Sequence, residues 1–327
     1  MSDTVVNDNV QNQIAIASRF CTESPSGQPL FFIGSSPSQA QSIINPSAPA
    51  AGVMVSVNQL RNRKSDFQVD DWILDSGAFT EIARHGGYRS GVEEYYWQIC
   101  RWARCGNLLI AVAQDWMCEK FVLERTRLSI SEHQKLTIER YDQLLKLNPP
   151  VPIMPVLQGY KISDYLSHLQ QYSDHLKPNQ WVGIGSVCRR NGSPDEIADI
   201  LKSIKLIRPD LRLHGFGLKI LALENLEVRQ NLYSCDSMAW SYPLRFRPEG
   251  DSVQNPKLNL AHSYQAKITA VNDSVHYRQP PSTAGAGNGQ GRKPKWNTKT
   301  KAIRIPEKYA DKLIELARQW ELGDNFQ

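Results

Sequence analysis

Short apolar runs alternate with longer amphipathic stretches from about residue 29 to about residue 245. The apolar runs are rich in β-branched and aromatic residues and predict eight strands, at 29–34, 52–57, 71–74, 107–113, 151–157, 181–186, 211–216 and 232–235. Five of the intervening stretches have helical periodicity, at 92–104, 131–147, 162–175, 194–207 and 222–229. This alternation is typical of βαβ units built around a parallel sheet.

Local capping signals support two of these helices. Ser131, with Gln134 three residues later, has the spacing of a capping box and predicts a helix start. Ser193 is followed by Pro194 and then by two acids, which predicts an N-cap, a proline in the first turn and favourable charges beside it. Both signals place helix starts shortly after predicted strands.

The strand count indicates a particular architecture. Eight strands in about 220 residues is the number expected for a closed (β/α)8 barrel of the TIM type. The alternative is a doubly wound open sheet. Against it, no GxGxxG sequence follows the first strand, and polar residues end many strands instead of meeting at one switch point. We therefore predict an α/β fold with a (β/α)8 barrel.

The periodic pattern ends near residue 247 and predicts four segments. Residues 1–28 form a polar lead-in, 29–247 the barrel, 248–304 a flexible basic linker and 305–327 a C-terminal helix. Between residues 288 and 306 the chain carries six Lys or Arg, one Trp and no acid. Such a stretch is compatible with contact to a phosphate backbone, and equally with a solvated linker.

Composition narrows the class of protein. The 327 residues carry 38 Lys and Arg against 33 Asp and Glu, so the net charge is +5, which is compatible with nucleic acid without indicating it. Apolar runs reach only about six residues, far short of the ~20 that cross a bilayer, so no membrane contact is expected. The polar N-terminus does not resemble a secretory signal, and the six cysteines form no CxxC or CxC pair. We expect a cytoplasmic protein.

Polar residues follow the predicted strands at the end where a barrel carries its active site. Three carboxylates (Asp75, Asp115 and Asp236) and one amide (Gln158) stand there, with glycine-containing turns after the sixth and seventh strands. Each has an ordinary alternative, since aspartates cap turns and glycines allow close packing. Three acids in one desolvated mouth, however, repel each other unless one is protonated or they face a ligand, which is typical of functional sites.

Elimination then favours chemistry at an anomeric carbon. The sequence has no convincing metal-ligand cluster, no phosphate-binding loop that ends in Lys-Ser/Thr and no G-x-S-x-G motif. Two carboxylates suffice when one attacks the sugar carbon and the other moves a proton to or from the leaving group. If that group is a nucleobase, Asp115, Gln158 and Gly185 supply hydrogen-bond partners for its edge, and Phe79 supplies a ring for stacking.

The motif Asp75-Ser76-Gly77-Ala78-Phe79 resembles the Asp-Ser-Gly-Gly-Phe/Tyr signature of tRNA-guanine transglycosylases. The later motifs follow in the same order, with Asp115, Gln158-Gly159, the turns at 183–186 and 215–217, and Asp236. The resemblance covers roughly residues 50–247. Within that superfamily the chain looks most like the DNA-modifying branch called DpdA, which exchanges guanine in DNA for a 7-deazaguanine base.

The resemblance implies a role for each residue. Asp236 is expected to be the nucleophile on C1′ and Asp75 the general acid/base. The base-binding residues are expected to be Phe79, Asp115, Gln158, Gly185, Ser186 and Gly215. The candidates for phosphate contacts, whose alternative is a solvated surface charge, are Arg189, Arg190, Arg245 and Arg247. Expected partners are DNA, a 7-deazaguanine base (in particular the 7-cyano form) and other DNA-modification proteins, with no redox cofactor or ATP.

The sequence also departs from the resemblance. The tRNA enzymes carry a Cys-x-Cys-x-x-Cys zinc motif, whereas this chain has no cysteine after Cys235, so neither zinc nor another metal is expected. Ala78 and Ser186 stand where the family usually has glycine, and Trp116 starts an unusual run after Asp115. Two alternatives stay open: a tRNA-guanine transglycosylase, and a non-catalytic barrel that binds nucleic acid within a modification complex.

Overall fold

The computed structural model describes residues 28–246 and residues 255–273. Its strands are β1 (Leu30–Gly34), β2 (Gly52–Ser56), β3 (Asp71–Asp75), β4 (Asn107–Val112), β5 (Ile153–Met154), β6 (Val156–Leu157), β7 (Trp181–Ile184), β8 (Arg212–Gly215) and β9 (Ser234–Ser237). Its α-helices are α1 (Ala78–His85), α2 (Val92–Trp102), α3 (Lys120–Thr126), α4 (Ile130–Lys146), α5 (Ile162–Tyr172), α6 (Pro194–Ile207), α7 (Ile220–Glu224), α8 (Leu226–Asn231) and α9 (Pro256–Asp273). Among these residues, no helix combines the length and the apolar character needed to cross a membrane.

All strand pairs of the sheet are parallel, and the order is β5-β4-β3-β2-β1-β9-β8-β7-β6. The two strands at the ends of this order, β5 and β6, are consecutive in the chain and are separated by Pro155 alone. They occupy one strand position, so eight positions form a nearly closed ring. The prediction of a TIM-type barrel is confirmed, and the open doubly wound sheet is excluded.

Pro155 explains why the fifth strand is divided. The prediction of one continuous strand over 151–157 is wrong, because proline has no N–H with which to continue a ladder. Its carbonyl instead accepts a hydrogen bond from Gly183 N–H at 2.8 Å, while Met154 O accepts one from Ala113 N–H at 2.9 Å. The segment therefore turns from pairing with β4 to pairing with β7, and this turn completes the ring.

Strand alternation divides the apolar side chains between two cores. In β1, Phe32 points into the barrel, where it joins Ile73, Val112 and Met154, and its neighbours Phe31 and Ile33 pack outward against the helices. Successive strand side chains point to opposite faces, so an apolar run buried on both sides is what a parallel barrel strand requires. The inner cluster fills the barrel and forms the floor under the mouth.

Two sequence-based helix assignments need correction. The N-cap of α4 is Ser129, whose side chain accepts from Glu132 N–H while the Glu132 carboxylate accepts from Ser129 N–H, so the assignment of Ser131 as the cap is wrong. Two overlapping Ser-x-x-Glu/Gln patterns exist there, one from Ser129 to Glu132 and one from Ser131 to Gln134. The Gln134 side chain is buried and donates to Gln158 O and Asp164 O instead of capping the helix. The stretch 222–229 is two short helices, α7 and α8, because Asn225 caps the second.

The segment after the barrel also differs from the expectation. Helix α9 lies within residues 248–304, so the interpretation of that stretch as a flexible linker is wrong for residues 256–273. Ala261 and Ile268 are buried, and Gln265 donates to Ile43 O at 2.8 Å and accepts from Asn45 N–H at 3.0 Å. The apolar spacing of this helix is weak, which hid it among the surrounding polar residues. The lead-in before residue 28, the basic stretch after residue 273 and the C-terminal helix lie outside the described residues.

Candidate active site

A cavity of about 420 Å³ opens at the carboxyl ends of the barrel strands. Residues that follow or end strands from all round the ring line it. Those among the expected site residues are Asp75, Phe79, Asp115, Gln158, Gly185, Ser186 and Asp236. Residues that the sequence analysis did not single out also line it, among them Ser56, Met117, Glu119, Cys188, Phe216 and Gly217. The size is in the range of small-molecule pockets.

The carboxylate of Asp236 in β9 is held through one of its oxygens. Oδ1 accepts a hydrogen bond from Gly217 N–H at 2.9 Å and lies 3.4 Å from His214 Nε2. Both donors come from the end of β8 and the turn that follows it. Asp236 lines the cavity, and neither of these two contacts uses its second oxygen, Oδ2.

A hydrogen-bond chain lies behind Asp236. Trp181 Nε1–H donates to Ser234 Oγ at 2.7 Å, and Ser234 Oγ lies 2.9 Å from His214 Nδ1. The Ser234 hydroxyl can accept from the indole and either donate to Nδ1 or accept from it, so the chain holds the ring in place and is compatible with a hydrogen on either nitrogen. His214 Nε2 is thereby held near Asp236 Oδ1.

Asp75, the last residue of β3, lines the same cavity. Its Oδ2 accepts from Gly77 N–H at 3.2 Å. Burial raises the pKa of Asp75 to about 6, a hydrogen bond from Ser56 lowers it, and the charge of Asp236 raises it. The two carboxylates therefore interact electrostatically, and Asp75 can gain or lose a proton near neutral pH.

The Asp-Ser-Gly turn requires its glycine. Gly77 has φ +71°, and a Cβ there would lie 2.2 Å from Asn58 Nδ2. That amide donates to Gly77 O at 3.1 Å, which anchors the turn beside β2. Any larger residue would displace Asn58 and move the Asp75 carboxylate, so this part of the motif positions the acid.

Four polar side chains form a network across the cavity from Asp75. Gln158 Nε2 donates to Asp115 Oδ2, and Ser186 Oγ lies 2.8 Å from Gln158 Oε1 and 3.0 Å from Glu119 Oε2. Burial raises the pKa of Asp115 to about 7, a Gln158 hydrogen bond lowers it, and the Asp75 charge raises it. Burial also raises the pKa of Glu119. Glu119 stands four residues after Asp115 in the same loop, which is the signal that could have identified it.

The glycine and serine after β7 have separate tasks. A Cβ on Gly185 would lie 2.1 Å from Gln158 Nε2, so glycine is needed to admit that amide. Ser186 has φ +58°, a conformation that favours glycine, and this fits the glycine that the family usually has there. The serine hydroxyl accepts from Cys118 N–H at 3.0 Å and joins the network instead.

One expected base-binding residue does not reach the cavity. A Cβ on Gly215 would meet Leu218 Cδ1 at 2.5 Å and Leu232 Cδ2 at 3.3 Å, so packing requires a glycine there, and its role in base binding stays a prediction. Gly217, two residues later, lines the cavity and holds Asp236. The sequence did not show which glycine of this turn lines the cavity.

Aromatic rings stand at the mouth. Phe79 is 48% exposed and lies 6.2 Å from the ring of Phe121, so it can stack on an entering base. Phe216 lines the cavity lower down and packs edge-on to His214 with ring centres 4.8 Å apart. The sequence analysis noted Phe216 only as part of a turn.

The expected phosphate-binding arginines differ in their freedom. Arg189 is exposed and lies 4.3 Å above the ring of Phe121, and Arg245 is exposed beside Tyr242. Arg190 is engaged within the protein by Tyr160 O, Ser186 O and an ion pair with Glu196. Arg247 lies outside the described residues. Within the part of the chain that the structure describes, no group of three His, Cys, Asp or Glu side chains could hold a metal ion.

The fold and site define a (β/α)8-barrel protein whose mouth carries two interacting carboxylates and a polar side-chain network in one cavity of about 420 Å³. The family model DpdA, described as DeoxyPurine in DNA protein A, matches residues 46–255, more than half of the chain. The chain belongs to the DpdA family, which supports at family level a transglycosylase that modifies DNA.

Other comparisons add little. No curated protein matches the sequence. Among solved structures, a Rhizobium etli pyruvate carboxylase variant with the allosteric activator acetyl coenzyme A matches with a TM-score of 0.31 and 12% identity, over 69% of this chain and 21% of that chain. The chain thus spans about a fifth of that protein's length, and a likeness of this size carries no argument about function.

Proposed function

We propose that the protein exchanges guanine in DNA for a 7-deazaguanine base, in particular 7-cyano-7-deazaguanine, through a covalent intermediate between deoxyribose C1′ and Asp236. One observation carries the proposal above the others. Asp236 and Asp75 line one cavity, and Asp236 Oδ1 accepts from Gly217 N–H and lies 3.4 Å from His214 Nε2. This arrangement supports a nucleophile paired with a proton carrier.

The first half of the reaction releases guanine. A target nucleotide leaves its stack and enters the cavity, at a cost of a few kcal/mol for unstacking. Asp236 Oδ2 attacks C1′, the C1′–N9 bond breaks with its electron pair on N9, and protonated Asp75 gives that nitrogen a proton. The transition state is oxocarbenium-like, so the nearby carboxylate stabilises it directly.

The second half installs the new base. The 7-deazaguanine takes the place of guanine, and ionised Asp75 removes the proton from its N9. That nitrogen attacks C1′ and Asp236 leaves, so two inversions give net retention. Electrons balance without a redox partner, and Asp75 returns to its protonated state for the next turnover.

The same edge of both bases fits the network opposite the carboxylate pair. Guanine and 7-deazaguanine share two N–H donors and one carbonyl acceptor on that edge. Asp115 can accept from the donors, Gln158 has a second amide hydrogen for the carbonyl, and Phe79 can cover the ring. These contacts support recognition of guanine-type bases.

Asp236→Asn tests the proposal. Asparagine keeps an oxygen for Gly217 and His214, so the fold is expected to survive, and exchange of labelled guanine into DNA should fall at least about a thousandfold. Without an incoming base, the unchanged protein should form a protein–DNA adduct that Asp236→Asn lacks.

Nucleoside mass spectrometry on DNA and tRNA identifies the substrate. Deazaguanosine in tRNA alone, or full activity in Asp236→Asn, would contradict the proposal, and binding without any exchange would favour a non-catalytic barrel.

A further inference from the structure

The polar network around Gln158 contains more acceptors than its own hydrogens can serve. Ser186 Oγ has one hydrogen, yet two acceptor oxygens, Gln158 Oε1 and Glu119 Oε2, lie 2.8 Å and 3.0 Å from it. With both Asp115 and Glu119 ionised, one of these short contacts would join two oxygens with no hydrogen between them. Buried polar contacts of this kind are costly.

One additional proton satisfies the whole network. If Glu119 carries it, Glu119 donates to Ser186 Oγ, Ser186 donates to Gln158 Oε1, and Gln158 Nε2 donates to ionised Asp115. Ser186 then accepts from Glu119 and from Cys118 N–H, which uses both of its lone pairs. Every contact has one donor and one acceptor.

A second complete arrangement places the proton on Asp115 instead of Glu119. With the Gln158 side-chain amide rotated by half a turn, protonated Asp115 donates to the Gln158 oxygen. The Gln158 nitrogen then donates to Ser186, and Ser186 donates to ionised Glu119. Amide orientation is assigned from such networks, since the oxygen and nitrogen are alike in shape. The two arrangements differ in which carboxyl holds the proton and in the orientations of the Gln158 amide and the Ser186 hydroxyl.

We propose that Asp115 and Glu119 share one proton through Gln158 and Ser186, and that binding of a guanine-type base draws this proton onto Glu119. Glu119 is then a specificity-determining residue that need not touch the base. The inference rests on the proposed function, because guanine is the ligand whose pattern it explains.

Guanine selects between the two arrangements by its hydrogen-bond pattern. Its two N–H donors pair best with a carboxylate, because charge-assisted hydrogen bonds are about twice as strong as neutral ones. Only the arrangement with protonated Glu119 offers an ionised Asp115 together with a Gln158 amide hydrogen for the base carbonyl. Proton transfer across the network is thus part of base binding.

The surroundings favour a single proton over none. Burial raises the pKa of both carboxyls, and the charges of Asp75 and Glu119 raise the pKa of Asp115 further. A hydrogen bond from Ser186 and the charges of Arg189 and Arg190 lower the pKa of Glu119, and the Cys188 thiol, 4.0 Å from Glu119 Oε1, faces it as a donor, so the ionised form of Glu119 stays accessible. Tyr88 donates to the backbone oxygen of Asp115 and not to its carboxylate.

Guanine calorimetry tests the inference with the full chain. In two buffers of different ionisation heat, the unchanged protein should take up about one proton per guanine at alkaline pH, with affinity falling about tenfold per pH unit there. Glu119→Gln should lose this uptake, because its amide donates to Ser186 without titrating. The exposed Glu124→Gln, on α3, is the matched control and should retain it.

A spectroscopic measurement separates this inference from the proposed function. Without ligand, Glu119→Gln should remove one protonated-carboxyl band from the infrared spectrum near neutral pH, and Glu124→Gln should not. An unchanged band, or equal proton uptake in Glu119→Gln and the unchanged protein, would overturn the shared proton alone. Failure of the unchanged protein to bind guanine would overturn the proposed function and the inference about guanine together.

Discussion

At the scale of single residues, specific hydrogen bonds hold individual oxygen atoms of the side chains that form the site. Asp236 uses one oxygen for Gly217 and His214, and the Trp181–Ser234–His214 chain behind it holds the imidazole ring in place. Such preorganisation lowers the reorganisation needed when charge changes at the proposed nucleophile. His214 and Ser234 are buried within β8 and β9, and nothing in their sequence pattern distinguishes them from core.

The ionised form of Asp75 is expected to lower the free energy of unfolding of the protein. Its pKa of about 6 exceeds the ordinary value of 3.8, so the folded state binds more protons than the unfolded state between those pH values, and stability falls as the pH rises through them. Above about pH 7 the loss is complete. Asp75→Asn should therefore raise the free energy of unfolding by about 3 kcal/mol at pH 8 and by only about 0.5 kcal/mol near pH 4.

Denaturant unfolding at both pH values checks this prediction, with Asp199→Asn on the exposed face of α6 as the matched change. Asp75→Asn should also abolish base exchange, since asparagine carries no titrating proton. A variant that is less stable than the unchanged protein at pH 8 would show that Asp75 is a structural acid held by Ser56 and Gly77.

At the scale of elements, sequence periodicity predicted the strands and helices whose burial follows a regular pattern. It missed the features that depend on a single contact. The strand positions and four long helices, α2, α4, α5 and α6, follow from alternating burial, and they were predicted from the sequence. The division of the fifth strand depends on Pro155, and the start of α4 depends on which of two serines faces Glu132. The hydrophobic pattern contains no information about either feature, because each depends on one residue and its hydrogen bonds.

The site divides in the same way. Its strand-end carboxylates were predicted because a barrel places all strand ends at one mouth. Gly217 was not distinguished from Gly215 because only the course of the backbone separates two glycines of one turn, and Glu119 was missed because its loop has no periodic pattern. His214 was predicted only as a member of the seventh strand, since an apolar strand gives no sign that one residue lies beside a carboxylate.

Helix α9 gives an element-scale prediction. Ile268 is 3% exposed and packs into the main core, so Ile268→Ala should lower the free energy of unfolding by about 2–4 kcal/mol through lost burial and the cavity left behind. Lys267→Ala, exposed on the same helix, should change it by less than about 0.5 kcal/mol. Thermal and denaturant unfolding measure both. Equal stability of the two variants would mean that α9 does not contribute to the barrel's core.

At the scale of the whole molecule, the mouth presents rings and charges together. We define the aromatic rim as Phe79, Tyr160, Tyr242 and Phe246, all of which are strongly exposed. Arginines lie against two of these rings, Arg190 at 4.6 Å from Tyr160 and Arg245 at 5.7 Å from Tyr242. Exposed rings beside cationic side chains are how proteins bind unpaired nucleic acid, with bases on the rings and phosphates near the charges.

The aromatic rim predicts a preference for unpaired DNA around the target base. A duplex must surrender stacking before its guanine enters the cavity, whereas a single strand has little stacking to lose and can place neighbouring bases on the exposed rings. We expect a single-stranded oligonucleotide with one central guanine to bind more tightly than its duplex, and Tyr160→Ala to weaken that binding by about tenfold.

Arg189→Ala should lower the slope of log affinity against log salt by about one. Trp97→Ala removes another exposed ring, which lies in the middle of α2 and not in a loop that follows a strand, and it should leave both quantities as they are. Fluorescence anisotropy over a salt series measures all four, and tighter binding of the duplex, or equal losses from Tyr160→Ala and Trp97→Ala, would assign DNA binding to another surface of the molecule.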